Sequence, residues 1–481
     1  MSEELIKLSQ PQELEHQDKD ILEAVFKEKG NKLKELKEYE SVNIDLEGYS
    51  YNKVWEVLSK RLSSFKYLGL NAEIYPASGD KKGICYLVAS DKIGVCCLEG
   101  NVNYQIRVSP KIAVKDLARM IVWAYFPKLI EIGKEYATPT DLSIHLVIPV
   151  LFIEELETLI KNLSYVLRRS YVYHQEELRA KIKGKPNLTL YFSQYKSRFK
   201  DHYIPCSWWD LNKDNDYNRA LKLGLKICKK FFMNLSSLPE EIKYLNTIKN
   251  LEFLFFPITL DKTVKQRVNK LRCVGNFAPY KEAIEIVRLI FDLIDFSIEA
   301  NDIKLKGFAL PMYEVFEQCV INYLQKKMDF KIEEKKSVKY KIKKPEEFTK
   351  NFSKNIIPDA IINVDNGKKF VLDTKWKSAF IETSSDEEII DEYENIKIKN
   401  DDIYQVIAYG MHKEIQAEGA FLIYPSERPH NSPPPPIWKI TSFQGSKEFP
   451  IYILGLPLGG DLEEGLKYLS EEISNKIKET I

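Results

Sequence analysis

Two apolar stretches meet across Asp365-Asn366-Gly367, and a turn of that composition commits the chain around it to an antiparallel hairpin. The first strand is predicted over Ile356–Val364 and the second over Lys369–Trp376. Strand side chains alternate, so Phe370, Leu372, Thr374 and Trp376 face one way while Val371, Asp373, Lys375 and Lys377 face the other. Register decides what joins Asp373. A three-residue loop with Gly367 in the left-handed region sets Val364 against Lys368 and Asp359 directly against Asp373, whereas a two-residue loop turns Asp359 to the opposite face. The three-residue form suits this sequence and brings the two carboxylates to about 5 Å apart at Cβ.

Two anions at that distance repel unless a cation bridges them, and oxygen-rich ligation suits Mg²⁺ rather than zinc. A carboxylate pair with Lys375 two residues on fits metal-assisted phosphodiester hydrolysis, in which the ion polarises the phosphate and activates water while the lysine offsets transition-state charge. The competing reading is an edge hairpin whose charges face solvent, since Asp-x-Lys alone is a common triplet. The order Pro358-Asp359, hairpin, Asp373-x-Lys375 favours the chemical reading.

Neighbouring segments add to it. A helix is predicted over Pro311–Lys327, with Val315, Phe316, Cys319, Val320 and Leu324 as its apolar stripe and proline near its first turn. Glu317 shares a turn with Phe316 and Val320 and is expected to point toward the sheet, the alternative being a solvent-facing charge. Downstream, DIYQVIAYGM places Gln405 and Tyr409 four apart on one helical face. The acidic, Ser-rich stretch Glu382–Asp402 reads as a solvated loop, and Pro433–Pro436 as a stiff connector.

The rest of the chain reads as mixed α/β. A helical lead-in is expected around Asp20–Glu40, strands over Ile84–Val88, Ile93–Leu98 and Asn103–Lys111, helices over Leu146–Ser170 and Glu176–Ile182, a strand over Asn187–Phe192, and helices over Asn218–Phe232 and Lys281–Phe296. No internal repeat is present. The expected fold class is α/β (α+β) multidomain, with residues 1–145 as an N-terminal mixed module suited to partner binding, 146–300 as a middle helical and mixed module, and 301–481 as the domain carrying the hairpin.

The 71 basic and 70 acidic residues leave a formal charge of +1, which excludes a protein held on nucleic acid by bulk charge alone. The longest apolar run, Leu146–Ile153, is broken by Pro149 and followed by Glu154 and Glu155, too short to span a bilayer. No signal peptide is apparent, so a cytoplasmic location is expected. The seven cysteines form no CxxC pair and the six histidines no HExxH, so zinc and disulfide frameworks are not expected. No GxxxxGK[ST] phosphate loop occurs either.

These motifs resemble the PD-(D/E)XK nuclease superfamily, and within it the McrC family, the nuclease subunit of McrBC-type modification-dependent restriction systems acting on 5-methylcytosine. The match is specific in the last third, through MYEVFEQCV, PDAII, LDTKWK and DIYQVIAYG, and weaker in the middle third through EELRAKIKGK and the run ending at Arg219. The resemblance implies a central mixed sheet flanked by helices, with Asp359, Asp373 and the backbone carbonyl of Thr374 as Mg²⁺ ligands, Lys375 as catalytic lysine, Glu317 as an auxiliary acid, and Gln405 and Tyr409 as supporting or DNA-contacting residues. It also implies double-stranded DNA as substrate and a separate McrB-like AAA+ GTPase partner that binds the GTP and that this chain stimulates. Pro311 departs from the family, which usually has an acidic residue there, and the acidic insert after Lys377 is longer than expected. For partner contacts the candidates are Lys181, Lys183 and Lys185 and the pair Asn218-Arg219, each weighed against a plain solvated or helix-start role. Two other functions compete: a stand-alone RecB-like or repair nuclease, and a non-catalytic DNA-docking or assembly adaptor.

Overall fold

The computed structural model describes residues 27–28, 32–50, 52–53, 56, 66–76, 82–98, 101–127, 146–235, 239–299, 302–342, 352–364, 367–377, 398–426, 438–444, 447–458 and 461–481. The fold is mixed α/β, as expected, and divides into two compact units. One comprises Met1–Gly94, Ile106–Asp141 and Ala309–Ile481; the other comprises Val95–Gln105 and Leu142–Phe308. Most of the expected helical lead-in lies outside the described residues, and its described part is not helical. Lys32–Lys37 is a strand, β1, running parallel to Ile106–Ser109. Its lysines, leucines and glutamate favour a helix by propensity, but pairing with a buried neighbour and burial of Leu36 override that weak preference.

The chain turns at Glu38-Tyr39 into β2 (Ser41–Ser50), which with β3 (Asn71–Pro76) flanks β4 (Lys82–Val88) in an antiparallel three-stranded sheet. Helix α1 (Val114–Tyr125) follows.

In the second unit, α2 (Val147–Asn162) is buried along most of its length, which accounts for the apolar run near its start. The expected helix at Glu176–Ile182 is instead the end of β5 (Ser170–Arg179), paired antiparallel along its whole length with β6 (Tyr203–Asn212). Ten cross-strand pairs outweigh the helical leaning of Glu-Glu-Leu-Arg. Asn187–Phe192 is likewise not a strand: Asn187 caps a short helical turn at Leu188–Leu190 by accepting the Leu190 N–H, and a π-helical turn begins at Tyr191. Helix α3 (Asp216–Leu235) and α4 (Lys281–Leu293) complete this core. Gly224 on α3 lets them close in, since a Cβ there would sit 3.0 Å from Val287 and 3.1 Å from Phe152.

Back in the first unit, α5 (Met312–Lys327) starts one residue later than expected, because Pro311 is still extended (φ −74°, ψ 109°) and serves as N-cap. The helix buries Met312, Val315, Phe316, Cys319, Val320 and Leu324, and a fully buried phenylalanine or leucine contributes about 2 kcal/mol. It packs on α1, where Asn322 donates to the Trp123 and Ala124 carbonyls and the Trp123 and Tyr323 rings meet edge to face at 4.9 Å. Then come β7 (Lys331–Glu334), β8 (Ala360–Asn363), β9 (Lys369–Thr374), α6 (Asn400–Gly410), β10 (Gly419–Ser426), β11 (Trp438–Gln444), β12 (Lys447–Pro457) and α7 (Leu462–Thr480). The strands form one mixed sheet ordered β7-β8-β9-β10-β12-β11, with β9, β10 and β12 mutually parallel.

The expected first strand is shorter than read from the sequence: Ile356 ends a different strand, Phe352–Ile356, which pairs with Val338–Ile342, and the central strand begins only at Ala360. Pro358 has no N–H to donate to a ladder, which explains the break. One sheet face, with Ile361, Val371, Ala420, Leu422 and Ile451, packs on Val406 and Tyr409 of α6. Gly410 ends α6 where a Cβ would lie 2.3 Å from the Phe449 ring, so only glycine fits. Most of the acidic stretch, and Pro433–Pro436, lie outside the described residues.

Candidate active site

The site grows out of the β8–β9 register. Ala360 pairs with Leu372 and Asn363 with Lys369; Val364 N–H donates to the Lys368 carbonyl, and Gly367 takes φ 73°. This is the three-residue-loop register, and one step beyond Ala360–Leu372 it sets Asp359 against Asp373. Asp365 and Asn366 lie outside the described residues.

Asp359 is fixed by the strand opposite: Thr374 donates to its Oδ2 through both the backbone N–H (2.7 Å) and Oγ1 (2.9 Å). Asp373 is 1% exposed, and Lys375 Nζ lies 2.6 Å from its Oδ2. That ion pair is what offsets the charge of this buried carboxylate. Burial, followed by repulsion from Asp359, pushes the Asp373 carboxyl up to about 7 despite Lys375. Burial works to lower the Lys375 ammonium, but Asp373, Asp359 and Asp402 together override it and raise its pKa, so the amine stays protonated.

Helix α6 supplies the next layer. Lys375 Nζ donates to Gln405 Oε1 at 2.9 Å, and Gln405 Nε2 donates to the Tyr409 hydroxyl. The structure thus brings Asp359, Asp373, Thr374, Lys375, Gln405 and Tyr409 into one connected group. Glu317 stands at its edge. It is buried rather than solvent-facing, pairs with Lys335 Nζ at 3.1 Å, and has a pKa raised by burial and by Asp359. Among the described residues no group of three or more His, Cys, Asp or Glu side chains is arranged to hold a metal ion, so Glu317 does not complete a three-carboxylate set.

Sequence reasoning missed two participants. Asp402, read as the end of a solvated charge run, is buried; it accepts from the Tyr424 hydroxyl at 2.9 Å and pairs with Lys377. Its place one helical turn before Gln405 was the available signal. Lys335, the partner of Glu317, is the other, and its backbone N–H donates to the Asp359 carbonyl at 3.0 Å. The partner-contact candidates behave differently. Arg219 is held by two hydrogen bonds to Asp214 (2.8 and 3.0 Å), and Asn218 is fully buried, donating to the Arg168 and Lys213 carbonyls, which favours their structural reading. Lys183 pairs with Asp210 at 2.8 Å, while Lys181 and Lys185 are exposed.

Among the described residues no helix is long and apolar enough to cross a membrane. Comparison with known proteins places the chain more closely. A chain in the refined half-complex from a tetradecameric assembly of Thermococcus gammatolerans McrB AAA+ hexamers with bound McrC is 15% identical, superposes with a TM-score of 0.52, and aligns over 92% of this chain and 99% of that one. A chain of the cryo-EM Thermococcus gammatolerans McrBC complex is 16% identical over 60% of this chain and 86% of that one, with a TM-score of 0.36. No curated protein matches. The family profile for McrBC 5-methylcytosine restriction system components matches residues 87–425, well over half the sequence, and the chain belongs to that family.

Proposed function

We propose that the chain is the Mg²⁺-dependent endonuclease subunit of a McrBC-type complex, a PD-(D/E)XK enzyme that hydrolyses phosphodiester bonds in methylcytosine-containing double-stranded DNA. The observation that carries this reading is the hairpin register with Asp359 opposite Asp373, and Lys375 Nζ 2.6 Å from the Asp373 carboxylate. The donor set fits a hard divalent cation: two opposed carboxylates, one of them buried with a pKa raised by burial and by its neighbour, gain from a cation they can share. Asp359, Asp373 and the Thr374 carbonyl would hold it, with water completing the shell, as Mg²⁺ prefers. When bound, the ion supplies polarisation of the scissile phosphate and of an attacking water.

The chain's own residues do the rest. Thr374 fixes the Asp359 carboxylate through two hydrogen bonds. Lys375 keeps its proton and carries positive charge to the phosphoryl oxygens as charge builds there. Gln405, itself held by Tyr409, orients that ammonium. In this reading the complex forms in the cytoplasm with a McrB-like AAA+ GTPase, which binds the GTP and whose hydrolysis the chain stimulates. The family match and the McrB AAA+ hexamers with bound McrC among similar structures support that partner.

The test is cleavage of methylated and unmethylated DNA with Mg²⁺ and GTP, with and without the partner. Asp359→Ala, Asp373→Ala and Lys375→Ala should each abolish cutting and leave partner GTP hydrolysis largely intact. Retained cutting in all three rejects the site. Cutting without GTP or partner turns the reading to a stand-alone nuclease, and no cutting under any condition turns it to an adaptor.

A further inference from the structure

Lys375 follows directly on the end of β9, and the chain there is not free. The next residue, Trp376, is gripped from the other end of the sequence by the turn at Glu38-Tyr39, and both segments belong to the same compact unit. The Trp376 indole Nε1 donates to Glu38 Oε1 at 2.7 Å, and the Tyr39 hydroxyl donates to the Trp376 carbonyl at 2.8 Å. The indole also meets the Phe316 ring of α5, with centroids 5.3 Å apart. Both polar ends of Trp376 are therefore tied to one dipeptide, one residue beyond the lysine.

That dipeptide is itself held firmly. Glu38 N–H donates to the Ser109 carbonyl and Tyr39 N–H to the Ser90 carbonyl, while the Lys111 N–H donates to Glu38 Oε2 at 3.1 Å. Tyr39 takes a left-handed φ of 59°, a conformation that costs a non-glycine residue on the order of 1 kcal/mol and persists only where its surroundings enforce it. Glu38 is 2% exposed, and a carboxylate that deeply buried is costly unless its acceptors are used. Burial pushes its carboxyl up to about 7, with Asp91 adding to the rise and Trp376 and Lys111 opposing it. A plain core packing role would be served by apolar residues at lower cost. A buried carboxylate aimed at one indole N–H instead specifies an orientation.

We propose that Glu38 and Tyr39 are positioning residues for the proposed nuclease site, fixing the exit of β9 so that the Lys375 amine stays against Asp373. The proposal rests on the nuclease reading for its kinetic consequence but not for its structural one. Shifts of about 1 Å at a reacting group cost up to about 100-fold in rate.

The experiment uses the full chain with its GTPase partner and compares Tyr39→Phe, Trp376→Phe, Glu38→Gln and Glu38→Ala. The first two delete one hydrogen bond each while keeping a ring in place. Cleavage of methylated DNA is measured as kcat and KM, and amide hydrogen exchange is followed over residues 369–377 and, as a control, over 147–162. The expected result is a fall in kcat of about tenfold for Trp376→Phe and less for Tyr39→Phe, with KM for DNA unchanged. Glu38→Gln, which still accepts the indole N–H, should retain more activity than Glu38→Ala. Exchange at 375–377 should speed up in every variant, with 147–162 unaffected. Wild-type kcat and wild-type exchange in Tyr39→Phe and Trp376→Phe overturn the proposal, as does equal loss of protection in both segments, which marks global destabilisation. If even the wild-type chain cuts no DNA, the nuclease reading fails, and the exchange data still decide whether the turn fixes the strand exit.

Discussion

Two clusters of aspartates and cations in this protein use the same residue types to opposite ends. In the second unit, Asp214, Asp216 and Asp261 are matched by Arg219 and Arg267 in a network of charge-assisted bonds: Arg219 to Asp214 at 2.8 and 3.0 Å, Arg267 to Asp216 at 2.9 Å twice and to Asp261 at 2.6 Å. Burial works against Asp214, yet Arg219 and Thr259 hold its carboxyl down at about 2. In the first unit, Asp359 and Asp373 face each other, and Asp373 is driven up to about 7. The difference lies in satisfaction. A network whose charges are all paired at rest is a staple for the start of α3. One that sets two carboxylates against each other, with burial and their mutual repulsion raising one of them, keeps electrostatic free energy in reserve for something that binds.

The largest expected effect separates the two clusters by activity. Asp373→Ala or Lys375→Ala should lower methylated-DNA cleavage by at least about 10²–10³-fold, the size of loss seen when a transition-state charge partner is removed. Arg267→Ala should lower cleavage only as far as it lowers the folded fraction. Cleavage assays paired with circular dichroism on the same preparations check this, and an Arg267→Ala enzyme that is folded but inactive breaks the distinction.

Stability should move in opposite directions. Removing Arg267 takes away the closest cation of Asp216 and Asp261, leaving them Arg219 at 3.7 and 3.6 Å, and should cost on the order of 1 kcal/mol. Asp373→Asn, measured in a chelator at pH 8, removes a buried carboxylate repelled by Asp359 and should leave the protein as stable as wild type or more so. Thermal unfolding of both variants settles the sign, and a destabilised Asp373→Asn would mean that its pairing with Lys375 outweighs burial and repulsion.

Much of this contrast was legible in the sequence, but unevenly. The Asp-Asn-Gly turn and the strict alternation after it locate Asp359, Asp373 and Lys375, because hairpin register is a local property that three turn residues determine. Gln405 and Tyr409 follow from helical spacing on a segment that keeps its periodicity. What escaped was non-local. Nothing in Lys-Leu-Lys-Glu-Leu-Lys announces a strand until Ile106–Ser109 lies beside it, and nothing near Glu38 points to an indole 338 positions away. Asp402 looked like part of a charged loop because its partners, Lys377 and Tyr424, come from two other segments of the chain. The β5 error has the same origin, since a strand made of glutamates and leucine is dictated by its partner β6.

The smallest expected effect follows the pH dependence of the two clusters. Asp373, raised to about 7, keeps in the folded chain a proton that the unfolded chain releases near pH 4, so its contribution favours folding at low pH and is lost as pH rises from about 4 through 7. Asp214, depressed to about 2, contributes stability above about pH 4 that is lost as pH falls toward 2. The windows adjoin without overlapping, so the clusters can be read separately in one titration. In a chelator, the gap in melting temperature between Asp373→Asn and wild type should widen from pH 5 to pH 8 by a few degrees. Millimolar Mg²⁺ should close it at pH 8, because a cation stabilises the ionised pair only after the proton has gone, and should do little at pH 5. Mg²⁺ that raised the melting temperature equally at both pH values, or equally in Asp373→Asn, would be binding elsewhere, and the opposed carboxylates would then be no more a cation site than the arginine-stapled ones.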